Sequence, residues 1–470
     1  MNRLSAACDG SIGIAAWLSA GCLVLLLLAS WLLGGLTHDS SWHDEGLQLL
    51  ALPALVVAVF LLARNPPQTR LARGALAVML TAFAAVALQL VPLPEGLWKA
   101  SAPRVELARD LVAAGVPSSV WHWTLTPHGT EAALWRMLPP LAAFLSGLAL
   151  ARGFRRGVLL CVVLLSLANL GLAFQQAGLP QNSPLRIYPV IDGVAMFGGI
   201  FINQNHFATA LVIAMTLALC LAVDAWRRRV RGTRKHELHA LALAGLAAIC
   251  MAAVPLTASR AGIALVAPVL LGGLVLTGLL RLDRLLKRPA FAVTAAALAV
   301  AMAWVFLRWL AVARAQDPRF LIADSTFRLG LSYLPWGSGA GSFTPVFETD
   351  LPKALWIPQY VNHAHNEFAQ WWLVGGLPAM AVVAAGLVVF VLAGLRLLRL
   401  HGRRPMAVLA SGCWMAVAAA LAHSWVDFPL GTTALAVTVS LLGGVLFACL
   451  DELAVDREPQ RAPRQRAASG

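Results

Sequence analysis

Long apolar runs separated by short polar intervals dominate the chain. Twelve of them, near 12–35, 46–63, 74–93, 132–151, 157–176, 205–224, 238–257, 261–280, 290–313, 367–395, 406–426 and 431–450, are long enough to cross about 30 Å of hydrocarbon as helices. The pattern predicts an all-α, polytopic integral membrane protein of about twelve transmembrane helices, with both termini on the same side. The first run, Ile12 to Leu36, is too long for a signal peptide and carries no convincing small-residue cleavage site, so it reads as a retained span.

The basic residues fix an orientation. Intervals 64–73, 152–156, 225–237, 281–289 and 396–404 hold 3, 3, 6, 4 and 4 Lys or Arg, and with Arg3 and the tail they account for 25 of 36. The alternate intervals, 36–45, 94–131, 177–204, 258–260, 314–366 and 427–430, hold 0, 3, 1, 1, 4 and 0. The positive-inside rule makes the first set cytoplasmic and puts both termini inside.

Residues 1–453 then form a single transmembrane domain, and 454–470 a basic, Pro- and Gln-rich tail expected to be disordered. The long external intervals are 94–131, 177–204 and 314–366, the last between spans nine and ten and expected to bear short helices. Within 94–131, Ser101 and Pro103 mark a helix start and Gly115 a stop. Val105, Leu107, Ala108, Leu111 and Val112 form an apolar side suited to the membrane–water boundary. Thr130 is placed to cap the fourth span.

Composition supports this reading. The 470 residues are 59% hydrophobic and 12% charged, whereas soluble domains carry about 25% charged residues; the mean hydropathy is +0.74. The net charge of +14 is explained by topology, with membrane lipid headgroups as the contacts, so nucleic acid is not expected as a partner. Six of the seven cysteines lie in apolar runs and none forms a CxxC pair, which argues against a disulfide framework. Neither HExxH nor a nucleotide-binding loop is present, and no metal or other cofactor is expected.

Four polar groupings fall at the external ends of spans: Asn203-Gln-Asn-His206, Ser259-Arg260-Ala-Gly262, the loop from Arg314 through Arg319 and Arg328 to His363, His365, Asn366 and Glu367, and His423-Ser-Trp-Val-Asp427. Each has a plain structural alternative. Asn203 and Asn205 suit a helix cap. Arg260 after Ser259 can snorkel to headgroups. His423 and Asp427, four apart, suit a polar pair on one helical face, and His363 and His365 can be solvated loop residues. Gly337, Gly339 and Gly341 form either a tight turn or a backbone cradle for phosphate. Their convergence on one side of the membrane favours a single external site. Arginine forks match phosphate oxygens, and a histidine can take a proton from an incoming hydroxyl.

At these residues the chain resembles the O-antigen ligase and polymerase superfamily of bacterial membrane glycan transferases. The matching pieces are Leu125-Thr-Pro-His-Gly-Thr130, Asn203-Gln-Asn-His206-Phe207-Ala, Ser259-Arg260-Ala-Gly262 and Arg328 with Pro335-x-Gly-x-Gly-x-Gly-x-Phe343. They continue with Ala364-His365-Asn366-Glu367-Phe368-x-Gln370, Gly376-Leu-Pro378 and His423-Ser-x-x-Asp427-Phe-Pro, and are densest over 195–430.

The resemblance implies metal-independent, inverting transfer of a glycan from undecaprenyl diphosphate to a sugar hydroxyl, on the periplasmic side of the bacterial inner membrane. Arg260 and Arg328 would hold the diphosphate, His365 would orient or deprotonate the acceptor, and Glu367 would position His365. Asn203, Asn205, His206, Ser259, Gly337, Gly339, Gly341, His363, Asn366, His423 and Asp427 would line the substrates, with His363 competing for the base role. Val374 stands where related chains often carry an acidic residue. The acceptor would be lipid A–core, for a ligase, or another lipid-linked glycan, for a polymerase; attachment to protein hydroxyls is a third use. Outside the superfamily, a multi-span solute transporter and a non-catalytic assembly protein are the competing readings. A carrier would place its polar residues near mid-bilayer rather than at outer span ends.

Overall fold

The computed structural model describes residues 13–455 apart from 38–40, 117–119, 181, 187–196, 230–233, 357–360, 401 and all but scattered positions of 282–316. Among the described residues the chain is helical, with no strand beyond one isolated bridge between Pro92 and His122. The helices are α1 (Ile14–Leu33), α2 (Ser41–Arg64), α3 (Arg70–Leu88), α4 (Glu95–Trp98), α5 (Ala102–Ala113), α6 (Pro127–Arg136), α7 (Leu138–Ala149), α8 (Arg152–Ala177), α9 (Gln204–Arg227), α10 (Lys235–Ala253) and α11 (Arg260–Leu276). They continue as α12 (Pro318–Ser332), α13 (Phe343–Glu348), α14 (Glu367–Leu400), α15 (Pro405–His423) and α16 (Thr433–Val455).

Ten helical segments among the described residues, α6 and α7 counted together, are long and apolar enough to span a membrane. This is an all-helical polytopic membrane protein, and the expected twelve spans are not reached within its described part. The eighth expected span is the shorter α11, of 17 residues. The ninth, 290–313, lies largely outside the described residues, as do Arg314 and the tail beyond 455. The fourth span is divided at Met137, just before Pro139 and Pro140. Thr130 lies inside α6 rather than capping it, its hydroxyl donating to Ala340 O at 2.6 Å, while Thr126 occupies the cap position. The helix expected within 94–131 appears as α5, with Ser101 at its N-cap and Gly115 at φ 71° beyond its end.

α9 is the central post: 94% of its apolar window is buried, against 17% for α3 and α14 at the periphery. Close packing relies on small residues, as expected where lipid cannot drive association. Gly147 of α7 and Gly444 of α16 allow their backbones to touch, since a Cβ on Gly444 would strike Phe144 O.

Helix direction puts the two kinds of polar residue at opposite ends. At one end Asp224 pairs with Arg156 at 2.7 Å and Arg228 at 2.9 Å, and Glu452 pairs with Arg152 at 2.8 Å and Arg155 at 2.7 Å. At the other end lie the starts of α9, α11 and α14 and the end of α15, which carry the polar groupings.

α14 is broken, and its sequence explains how. Gly376 takes φ 56° and ψ −150°, outside any helix. Pro378 has no N–H to offer Val374 O, and the Leu377 N–H turns away to Pro335 O at 3.0 Å. The carbonyls of Leu373 and Val374 are thereby released, and the glycine turn takes both: Ser338 N–H donates to Leu373 O at 2.9 Å and Gly339 N–H to Val374 O at 2.8 Å. The turn and the break are two halves of one joint. Around it a second apolar cluster, including Ile322, Tyr333, Phe343, Phe347 and Leu373, holds α12 and α13 against α14.

A Cβ on Gly376 would collide with Pro335 O, and the residue sits at positive φ. Gly376→Ala is therefore expected to lower stability by about 3 kcal/mol. Gly171→Ala, at a helical site with nothing within 4 Å, should be neutral or slightly stabilising. Thermal unfolding of the two purified variants in one detergent checks this; equal melting temperatures would contradict it.

Candidate functional site

A single carboxylate organises the capped end of the bundle. Asp427 lies in the turn after α15, and its side chain is 1% exposed. Asn205 Nδ2 donates to its Oδ2 at 2.7 Å, and Arg319 Nη1 reaches the same oxygen at 3.4 Å. The Phe428 N–H donates to Oδ1 at 3.0 Å, His365 Nδ1 is 3.3 Å from Oδ1 and His206 Nε2 is 3.9 Å from it. Burial alone would raise the Asp427 pKa, but the His365 hydrogen bond and the charges of His206, Arg319 and His365 outweigh it and hold the group below the usual carboxylate range.

His365 faces this carboxylate from the loop before α14, with φ 49°, a left-handed conformation that a non-glycine residue adopts at a cost of about 1 kcal/mol or more. That conformation points Nδ1 at Asp427 while the side chain stays 21% exposed. An Nδ1–H donated to the carboxylate leaves Nε2 as the basic nitrogen.

Phe428 lies among three imidazoles. His363 stacks on its ring at 4.1 Å between centroids, while His206 and His365 meet it edge-on at 5.0 and 4.9 Å. His363 has both nitrogens engaged, Nε2 with Thr37 O at 3.0 Å and Nδ1 with Gln370 Oε1 at 3.2 Å. Burial lowers its pKa, although these two acceptors pull the other way. His423 Nδ1 donates to Thr209 Oγ1 at 2.7 Å, and that hydroxyl donates to Asn205 O at 3.1 Å, which pins α15 to α9.

Several expected site residues hold the frame. Asn203 caps α9 through the Asn205 N–H at 2.9 Å, Ser259 caps α11 through the Gly262 N–H at 3.1 Å, and Asn366 caps α14 through the Ala369 N–H at 3.0 Å. Three positive helix ends therefore face this region. Gly262 is pressed against Ala208, where a Cβ would come within 2.6 Å of the alanine methyl, so the first turns of α11 and α9 abut and Arg260 sits beside them.

Two expectations are corrected. Glu367 does not position His365: its Oε1 accepts from the Leu430 N–H at 2.7 Å, and Asp427 is the carboxylate on the imidazole. Asp427 lies in the turn just beyond α15, but its N–H still donates to His423 O at 3.0 Å, and both side chains reach α9, His423 at Thr209 and Asp427 at Asn205. Gly337, Gly339 and Gly341 do not form a phosphate cradle. The N–H groups of Gly337, Ser338, Gly339 and Ala340 go to Tyr333 O, Leu373 O, Val374 O and Gln89 Oε1, and a Cβ at Gly341 would strike Gly129 O. Buried Arg104 fastens the same turn from α5, donating through Nη2 to Trp123 O and Gly337 O, both at 2.6 Å. Arg328 lies on α12, as does Arg319. Nine residues separate it from Arg319, which places the two on opposite sides of α12, about 180° apart. Arg319 is the one on Asp427.

Arg260 and Arg328 are exposed and have no hydrogen-bond or ion-pair partner among the described residues. Arg319, Phe428, Gln370 and Thr209 received no role from the sequence. Arg319 stood among the loop arginines, and Phe428 and Gln370 stood inside the motifs already singled out, so proximity to those motifs was the available signal. Among the described residues no three His, Cys, Asp or Glu side chains are arranged to hold a metal ion.

Comparison with protein families matches residues 245–384 to the family described as O-antigen ligase. The matched stretch covers less than a third of the chain. It contains Arg260, Arg319, Arg328, His363, His365, Asn366 and Glu367, while Asn205, His206, His423 and Asp427 lie outside it. Comparison with curated proteins gives no match.

A carboxylate depressed in the folded state contributes stability above its unfolded pKa, about 3.9, and loses it as the pH falls. Asp427→Asn should therefore unfold more easily than the wild type at pH 7, by about 2 kcal/mol. The gap should close as the pH drops below about 4. Melting curves of both proteins across this range check it, and a gap independent of pH would contradict it.

Proposed function

We propose that this chain, which carries the O-antigen ligase family domain at residues 245–384, transfers a glycan from undecaprenyl diphosphate onto a sugar hydroxyl, with His365 as the base. The observation that carries the proposal is the pairing of His365 Nδ1 with buried Asp427, on an imidazole whose side chain remains 21% exposed. His363, with both nitrogens occupied, is the weaker candidate for the same role.

The acceptor hydroxyl hydrogen-bonds to His365 Nε2. As its oxygen attacks the anomeric carbon, the proton passes to the imidazole and the bond from that carbon to the diphosphate oxygen breaks, inverting the configuration. Asp427 keeps the imidazole in the right tautomer and stabilises its charged form. The lipid diphosphate departs with the electron pair and needs cations rather than covalent help. Arg260 and Arg319, beside the positive ends of α9, α11 and α14, supply that charge. Arg328 serves the donor from the outer side of α12, with a smaller contribution.

The bias of Lys and Arg toward the opposite end of the bundle supports a periplasmic location in the inner membrane. Lipid A–core is the favoured acceptor, in keeping with the family description. A polymerase uses the same donor chemistry, and the two are told apart by product. Deleting the gene leaves polymer on the carrier but none on core for a ligase, and single-repeat products for a polymerase.

Transfer by the purified enzyme from lipid-linked donor is the direct test. His365→Ala should lower the rate by about 10²-fold or more. Arg260→Ala and Arg319→Ala should each cost about 10²-fold and Arg328→Ala less than about tenfold. Full activity in His365→Ala, or equal losses at Arg319 and Arg328, would overturn this assignment. Activity should also survive EDTA; complete loss reversed by a divalent ion would contradict the metal-independent reaction.

A further inference from the structure

His363 sits between two oxygens that can only accept. Its Nε2 lies 3.0 Å from Thr37 O, in the segment after α1, and its Nδ1 lies 3.2 Å from Gln370 Oε1 on α14. The Gln370 amide cannot be turned round to reverse the second contact, because the Ala364 N–H donates to the same Oε1 at 3.1 Å. A neutral imidazole has one N–H and one lone pair, so it serves one of the two oxygens and turns a lone pair on the other. Only the imidazolium, with two N–H groups, makes both bonds. The ring also stacks on Phe428, with 4.1 Å between centroids and 25° between planes, and an aromatic face attracts a cation.

We infer that His363 is a positioning residue that clasps the loop bearing His365 as an imidazolium, and that losing its proton opens the clasp. One bond joins the loop to the segment after α1. The other, through the oxygen shared with Ala364, joins it to the start of α14. Ala364 immediately precedes His365, so release of either bond loosens the backbone that presents the base to Asp427. The surroundings of the ring are divided. Burial is the largest influence and opposes the proton, as do His365 and, from α9, His206; Thr37 O, Gln370 and the Asp427 carboxylate favour it. Glu367, on the first turn of α14, is turned to the Leu430 N–H instead. From the proposed function this inference takes only that His365 is the base.

NMR of full-length protein in detergent, isotopically labelled at histidine nitrogen, reads the charge directly, with His363→Asn assigning the signals. Both ring nitrogens of His363 should carry protons at low pH, and one should lose its proton as the pH rises. Gln370→Glu, which sets a carboxylate against Nδ1, should raise the midpoint of that titration by about one pH unit or more, and Gln370→Leu should lower it. Gln370→Glu keeps an acceptor for Ala364 and decides the matter alone if Gln370→Leu fails to fold. The transfer rate should fall on its alkaline side with the same midpoint. That limb should move up in Gln370→Glu and be absent in His363→Asn, whereas a merely structural contact would give a loss uniform across pH. A His363 midpoint indifferent to Gln370→Glu overturns the clasp, whatever the enzyme transfers. A midpoint that moves while the alkaline limb stays in place overturns its hold on His365. Absence of transfer by the wild type counts against the proposed function, and the NMR midpoint still decides the clasp.

Discussion

A carboxylate taken out of water is tolerated only where donors replace the water it has lost, and Asp427 shows how demanding that is. Its donors come from four separate places: Asn205 at the start of α9, Arg319 on α12, His365 in the loop before α14, and the N–H of Phe428 in its own turn. Each must be delivered to within hydrogen-bonding distance. The arrangement therefore constrains this end of the bundle as a group, and it couples the family-matched segment 245–384 to chain on both sides of it.

The break in α14 sets the position of the loop that carries His365. Pro378 and Gly376 free two carbonyls, and the glycine turn fills them with its own N–H groups, so the turn is joined to α14 two turns below its start. Arg104 and Gln89 fasten the turn from the opposite side. Glu367 ties the first residue of α14 to the segment after Asp427 through the Leu430 N–H. His365 is thus held at a left-handed φ, with its imidazole against Asp427, by the chain before and after it.

Much of this was legible in the sequence. Hydrophobic runs located the membrane helices, and the polar groupings at one end of those runs located the residues that now surround Phe428. What escaped was pairing. Glu367 stands two residues from His365 and looked like its partner, yet the start of α14 turns its carboxylate toward Leu430. Asp427 stands 62 residues further along and reaches the imidazole from the turn just after α15. Similarly, Arg328 had the motif beside it while Arg319 had the geometry; which side of a helix faces a partner depends on the packing of α12, which a single sequence does not display. The glycines were recognised as a turn, but whether their N–H groups served a ligand or the protein depended on carbonyls released by a break in a distant helix.

Whether His365 and Asp427 act as a unit is tested most directly by a double-mutant cycle on transfer rate. If Asp427 works through the imidazole, adding Asp427→Asn to a His365→Ala enzyme should change the residual rate by less than about threefold, although Asp427→Asn alone lowers the wild-type rate by about 10²-fold or more. Losses that multiply, so that the double variant falls below His365→Ala by the full factor seen for Asp427→Asn alone, would contradict it.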